Sequence, residues 1–248
     1  MGRAGSFEID VITPGVYWIS LPMSLLHFAY PLLACAGYLA WPKLVRGTLS
    51  APVHRAVSVV HNLALVVFSA YTFWGILKLV LVHGFVFKSK YFFGMPEFDT
   101  LAWYFYLSKY YEFIDTFLIY AKGKKPIFLQ TYHHVGAVLC WHMWYVYKTD
   151  GAWLPTFMNA FVHTVMYTYY LCTIFRLNVS GVKPFITAMQ MVQFLIGGIG
   201  VPIWYAPPND TWPRYVTALI GAAYTYGLIA LFGQFSYRNY IAPRKSAN

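Results

Sequence analysis

Charge is scarce in this sequence. Only 10% of its 248 residues are Asp, Glu, Lys or Arg, where a soluble domain carries about 25%. Acidic residues number 8 in the whole chain. That shortage excludes an ordinary soluble globule, a disordered chain and a coiled coil. Cysteine is also sparse: Cys35, Cys140 and Cys172 are scattered with no CxxC pair, so they form neither a disulfide framework nor a zinc site. Internal repeats, linkers and low-complexity tracts are missing, and residues 1–248 read as one domain. What fills the chain instead is apolar: 59% hydrophobic and 21% aromatic residues, with mean hydropathy +0.50. The composition is that of an all-α polytopic membrane protein.

A membrane-crossing helix needs about 20 mostly apolar residues. Seven segments meet that length, at roughly 17–40, 56–82, 99–120, 126–147, 152–174, 184–206 and 215–237. The third and fourth are interrupted by polar residues, but at helical spacing. An odd number of spans puts the termini on opposite sides. One side then carries Lys43, Arg46, Arg55, Lys122, Lys124, Lys125, Arg176, Lys183, Arg238, Arg244 and Lys245, with no acidic residue. The other carries Arg3, Lys88, Lys90, Lys148 and Arg214 among Glu8, Asp10, Glu97, Asp99, Asp150 and Asp210. Short Lys- and Arg-rich loops stay cytosolic. The expected topology has the N-terminus lumenal and the C-terminus cytosolic. The net charge of +10 is thereby explained without a nucleic-acid partner. A glycosylation sequon, Asn209-Asp210-Thr211, falls on the lumenal side close to the membrane.

Ionisable residues inside a span are costly and point to function. Here they cluster. Lys109, Glu112 and Thr116 stand at i, i+3 and i+7, with Asp115 beside them. A Lys–Glu pair neutralising itself inside a bundle would account for two of these; a third ionisable group so near exceeds that need. Gln130, His133 and His134 share one face of the next span. Neutral imidazole serves as base, nucleophile or metal ligand, whereas a lone buried histidine is more often a packing residue. Asn159, His163, Met166, Tyr167 and Tyr170 form a third stripe along more than two helical turns. Thr187, Gln190 and Gln193 form a fourth; amides also tie helices together without further role. His61 and Asn62 are weaker candidates for the same interior. Four polar stripes imply a shared, polar-headed cavity with apolar walls, suited to an amphiphile with a long hydrocarbon tail.

In this order the motifs resemble those of the very-long-chain fatty acid elongases, the ELO family of condensing enzymes. Lys109-x-x-Glu112-x-x-Asp115-Thr116, Gln130-x-x-His133-His134, His163-x-x-Met166-Tyr167-x-Tyr169-Tyr170 and Thr187-x-x-Gln190-x-x-Gln193 are similar to four family signatures, across about residues 60–240. The usual box begins with histidine; here the first position is Gln130, which hydrogen-bonds but carries no proton at neutral pH. That glutamine resembles a subgroup from microalgae and other protists acting on C18 polyunsaturated chains with a first double bond at Δ9.

The resemblance implies seven spans, six of them ringed around a narrow acyl tunnel, in the endoplasmic-reticulum membrane. It implies condensation of acyl-CoA with malonyl-CoA to a 3-ketoacyl-CoA, CO2 and CoA, with no metal and no further cofactor. The reductases and dehydratase of the elongation cycle would be partners. It gives His133 as the nucleophile that holds the acyl group, with His163 opposite. His134, Gln130, Asn159 and Tyr167 are expected to orient groups or stabilise an oxyanion. Lys109, Glu112, Asp115, Met166, Tyr170, Gln190 and Gln193 would line the substrate path. Two other readings stand beside it. A di-iron desaturase would need about eight imidazole-type ligands, and the chain has 8 histidines in all, only two adjacent. A transporter or seven-helix receptor would also explain polar residues within spans, yet the paired broken helices of many transporters are missing.

Overall fold

Proline and glycine mark some of the points where helices begin and end in this chain. The structure is a computed structural model that describes residues 26–86, 91–204 and 212–242. Its helices are α1 (Leu26–Ala40), α2 (Ala51–His83), α3 (Pro96–Tyr111), α4 (Phe113–Ala121), α5 (Phe128–Val146), α6 (Trp153–Ile174), α7 (Val182–Trp204) and α8 (Trp212–Ser236). The described residues contain no strand. Pro96 opens α3 with Glu97 and Asp99 in its first turn, where a missing N–H costs nothing and acidic groups meet the positive end of the helix dipole. At the end of α2, Gly84 takes φ 78° and its N–H bonds the Val80 carbonyl, a left-handed stop that suits glycine.

Within the described residues, the segments expected from hydropathy coincide with these helices to within a few residues, with one difference. The segment at 99–120 is two helices. At Glu112 the chain tightens: the Asp115 N–H bonds the Glu112 carbonyl at 3.0 Å, an i to i+3 bond of the 3-10 kind, which shortens the turn and changes the helix phase. Lys109 and Asp115 lie on either side of this turn and take different partners. Residues 1–25, with Arg3, Glu8 and Asp10, lie outside the described residues, as do Lys88, Lys90, the Asn209 sequon, Arg244 and Lys245.

Three helical stretches are long and apolar enough by themselves to cross a membrane: Ala51–His83, Val182–Ile203 and Trp212–Ile241. Their outward faces are apolar and exposed, as at Val60, Leu63 and Val67 on α2, and Ile199 and Ile203 on α7. A soluble protein would not present such continuous apolar area to water. Helices α3 and α4 are too short by themselves, at 16 and 9 residues, and polar residues lower the hydropathy of α5 and α6.

The helices pack in a closed cycle: α2 on α6, α6 on α7, α7 on α8, α8 on α5, α5 on α3, and α3 on α2. Helix α1 lies outside the cycle against α5. The α5–α8 seam depends on absent side chains. A Cβ on Gly221 would lie 2.2 Å from the Trp144 ring, and one on Gly136 would lie 2.1 Å from the Tyr224 ring. Small residues at such contacts let helices approach closely.

The end of the bundle holding the α2–α3 and α5–α6 connections is sealed. The Asp150 carboxylate accepts the backbone N–H groups of Tyr91, of Phe92 at 3.1 Å and of Phe93 at 2.8 Å. Trp153 stacks on Phe92 with ring centroids 5.2 Å apart and donates its Nε1 hydrogen to the Val86 carbonyl at 3.1 Å. Phe92, Phe98 and Trp153 have no solvent exposure. Lys148 pairs with Asp99 beside them.

Candidate functional site

The polar stripes converge toward the other end of the bundle, in two linked layers. The inner layer centres on Lys109, which is 1% exposed. Its ammonium donates to Glu112 Oε1 at 2.7 Å and to Asn159 Oδ1 at 3.0 Å. It also sits over the Phe105 ring, 3.9 Å from the centroid. A charge this deep persists only with such partners. Asn159 and His163 come from α6 one turn apart, and His163 Nδ1 approaches Glu112 Oε1 at 3.5 Å. Across from His163 stands His133 of α5, with ring centroids 6.3 Å apart. His134 follows at 5.4 Å from His133.

The second layer joins α2, α4 and α6. His61 Nε2 meets Asp115 Oδ1 at 2.9 Å, and the Tyr167 hydroxyl donates to Asp115 Oδ2 at 2.7 Å. Tyr167 also packs edge-on against His163, with centroids 5.4 Å apart, so the two layers touch. Lys109, before the turn at Glu112, reaches Asn159 of α6, while Asp115, after it, meets His61 of α2 and Tyr167 of α6.

Gln130 shares a helix with His133 and His134 but reaches elsewhere. Its amide donates to Thr116 Oγ1 of α4 at 3.2 Å, and Thr116 also hydrogen-bonds the Tyr38 hydroxyl of α1 at 2.9 Å. His134 packs beside Tyr38 and Phe113, and its buried Nδ1 has no hydrogen-bond partner. Gln190 donates to the Met166 sulfur at 3.4 Å, which sets these two apart from the histidines. Tyr170 is 39% exposed and packs on Tyr167 at the margin.

Gln193 belongs to the interior. With His133, Asn159, Met158, Trp141 and Tyr224 it lines a cavity of about 30 Å³, space for about one water. Its Oε1 is buried without a hydrogen-bond partner. On the far side of Met158 and Gln193 lies a larger, apolar cavity of about 460 Å³, bounded by α2, α6 and α7 through residues such as Phe73, Phe161 and Ala188. Two side chains therefore part the histidine-lined space from an opening on the apolar flank of the bundle.

Some members of this site carry no local signal. Tyr224 donates its hydroxyl to the His133 carbonyl at 2.9 Å from a helix with no polar stripe. The hint in the sequence is Gly136, three residues after His133, whose missing Cβ makes room for the Tyr224 ring. Tyr38 is likewise one tyrosine among 22. A separate polar cluster, His142 with Tyr106 and Tyr30 at 3.1 Å each, ties α1 to α3 and α5. Among the described residues no three His, Cys, Asp or Glu side chains converge as metal ligands.

This is an all-helical, membrane-type bundle whose buried polar centre is built from histidines, a lysine–carboxylate pair and amides. The chain belongs to the ELO (GNS1/SUR4) family, whose signature matches residues 22–248. It is similar to fatty acid elongase sre1 of Dictyostelium discoideum, 37% identical over 55% of this chain and 52% of that protein. A putative fatty acid elongase of the same organism is 32% identical over 75% of this chain and 66% of its own length. Very long chain fatty acid elongase 4 of Homo sapiens is 31% identical over 58% of this chain and 47% of its own. The matched stretches thus span about half to two thirds of these relatives.

Proposed function

We propose that this protein is the condensing enzyme of fatty acid elongation, a 3-oxoacyl-CoA synthase joining an acyl-CoA to malonyl-CoA. The observation that carries the reading is the pair His133 and His163, facing one another from α5 and α6 with ring centroids 6.3 Å apart, inside a chain of this family. The His133 imidazole attacks the thioester carbon, the C–S bond breaks, and the acyl group is held as an acyl-imidazole while CoA leaves with a proton. Malonyl-CoA then loses CO2, and its enolate attacks the acyl carbon. The C–N bond breaks, His133 is restored as its imidazolate takes up one proton from solvent, and the 3-ketoacyl-CoA departs two carbons longer. The buried donors around the site, Asn159 and Lys109 among them, supply fixed dipoles and charge that need little reorganisation. A site with room for little more than one water disfavours hydrolysis of the intermediate.

The same reading takes the chain as seven spans of the endoplasmic-reticulum membrane, with the N-terminus lumenal and six helices ringed around an acyl tunnel. The closed packing cycle and the sealed end at Asp150 and Trp153 support it. Gln130 in the histidine box favours a C18 polyunsaturated acyl chain of the Δ9 type.

The test is direct. Purified protein in nanodiscs, given malonyl-CoA and a panel of acyl-CoAs, is expected to yield 3-ketoacyl-CoA two carbons longer by mass analysis, with linoleoyl-CoA among the best substrates. His133→Ala is expected to abolish product while the protein stays folded, and His163→Ala to lower turnover at least a hundredfold. Near wild-type turnover by a folded His133→Ala protein removes the nucleophile assignment. Acyl-CoA without malonyl-CoA is expected to add the mass of one acyl chain to the wild type.

A further inference from the structure

A buried lysine needs a counter-ion, and Glu112 supplies it; but the carboxylate is not saturated by that contact. Oε1 accepts from Lys109, while Oε2 is buried with no hydrogen-bond partner. A second ionisable group directly beside this carboxylate is His163, whose Nδ1 stands 3.5 Å from Oε1. Catalytic hydrogen bonds are often long before substrate binds and tighten in the complex. Lys109 also grips Asn159, one helical turn before His163 on the same helix. The ammonium therefore clamps the carboxylate of α3–α4 and the start of the His163 turn at once. All four side chains are at least nine-tenths buried, so the arrangement is fixed by packing rather than by solvent.

We propose that Glu112 is the positioning residue of His163. Its carboxylate takes the Nδ1 hydrogen, fixing one tautomer and leaving the lone pair on Nε2; Lys109 and Asn159 hold the carboxylate in place. A carboxylate behind an imidazole sets the tautomer and ring orientation in this way in metal sites and hydrolases alike. The inference rests on the condensing reading for its chemical consequence. When His133 is acylated, the proton shed by its imidazole passes to His163 Nε2. The resulting imidazolium faces a carboxylate, and the proton leaves on the CoA sulfur as the C–S bond breaks. Lys109 and Glu112 then act on the reaction through His163 and need not touch substrate.

Removing Glu112 alone strands a buried ammonium, so the test uses paired changes in the full-length chain in nanodiscs. Lys109→Met/Glu112→Gln keeps an acceptor for Nδ1–H; Lys109→Met/Glu112→Leu has none. With 15N-labelled histidine, His163 of the wild type is expected in the Nδ1–H tautomer. The Gln variant keeps that tautomer and the Leu variant shows a mixture. With linoleoyl-CoA and malonyl-CoA, kcat is expected to fall about tenfold in the Gln variant and about a hundredfold in the Leu variant, with KM changed less than about twofold. An Nε2–H tautomer in the wild type overturns the proposal without any variant. A folded Leu variant with wild-type kcat overturns it as well. If the tautomer shifts as expected but wild-type protein condenses nothing, the pairing stands and the condensing reading falls.

Discussion

At the scale of single residues, most of the polar atoms here are read correctly only with their partners. His61 gives no sign in the sequence of meeting Asp115, because 54 positions separate them; the contact exists only once α2 and α4 are side by side. Gln130 lies on the helical face of His133 and His134, yet its amide goes to Thr116, since the first turn of α5 lies beside α4. Glu112 was legible as the partner of Lys109, being three residues away, but its approach to His163 was not. Asp150 carries a sharper consequence. Burial pushes its carboxyl up to about 6 from the usual 3.8. The folded state therefore binds a proton that the unfolded chain has released, and this group's stabilisation is complete below about pH 4 and lost as pH rises through about 6. A shift of that size corresponds to about 3 kcal/mol. Thermal unfolding in nanodiscs is expected to show wild-type stability declining across that window. Asp150→Asn is expected to be flatter with pH and less stable at the acid end by about 2 kcal/mol, because its NH2 turns a donor toward backbone donors.

At the scale of elements, periodicity served well and failed in one place. Each helix longer than two turns was visible as an apolar segment or a polar stripe, because inward polar residues repeat at helical spacing whatever surrounds them. The tightening at Glu112 left no such trace, because a change of one hydrogen-bond step does not interrupt the run of apolar residues around it. Glycine spacing was similarly silent, since a glycine in a span reads as merely small. Contacts sort these glycines. Gly221→Ala, with its Cβ 2.2 Å from Trp144, is expected to push α8 from α5 and lower stability by about 2–3 kcal/mol. Gly37→Ala, with nothing within 4 Å, is expected to be neutral or to stabilise α1 by up to about 1 kcal/mol. The difference in unfolding temperature between the two variants checks the seam.

At the scale of the whole molecule, the order of packing around the cycle does not follow the order of the chain: α2 neighbours α6, and α5 neighbours α8. No hydropathy plot contains that information, because lipid-facing and ring-facing apolar residues look alike. The distribution of Lys and Arg predicts an orientation, and labelling tests it. α5 is one 19-residue helix, so its two ends lie about 28 Å apart. Lys124 and the exposed Phe85 fall at opposite ends of the bundle. In sealed vesicles, a membrane-impermeant maleimide is expected to label Lys124→Cys from the cytosolic face alone and Phe85→Cys only after permeabilisation. Labelling of both from one side refutes the seven-span topology.

The Asp150 seal also bears on the order of assembly during synthesis. Its carboxylate meets backbone groups made 57 to 59 residues earlier. The turn at 91–93 is therefore made unlatched, and the latch closes only when the ribosome has passed residue 150 and α5 has packed beside α3. Chains stalled before that point are expected to be cut by protease at 91–93, and chains stalled well beyond it to resist.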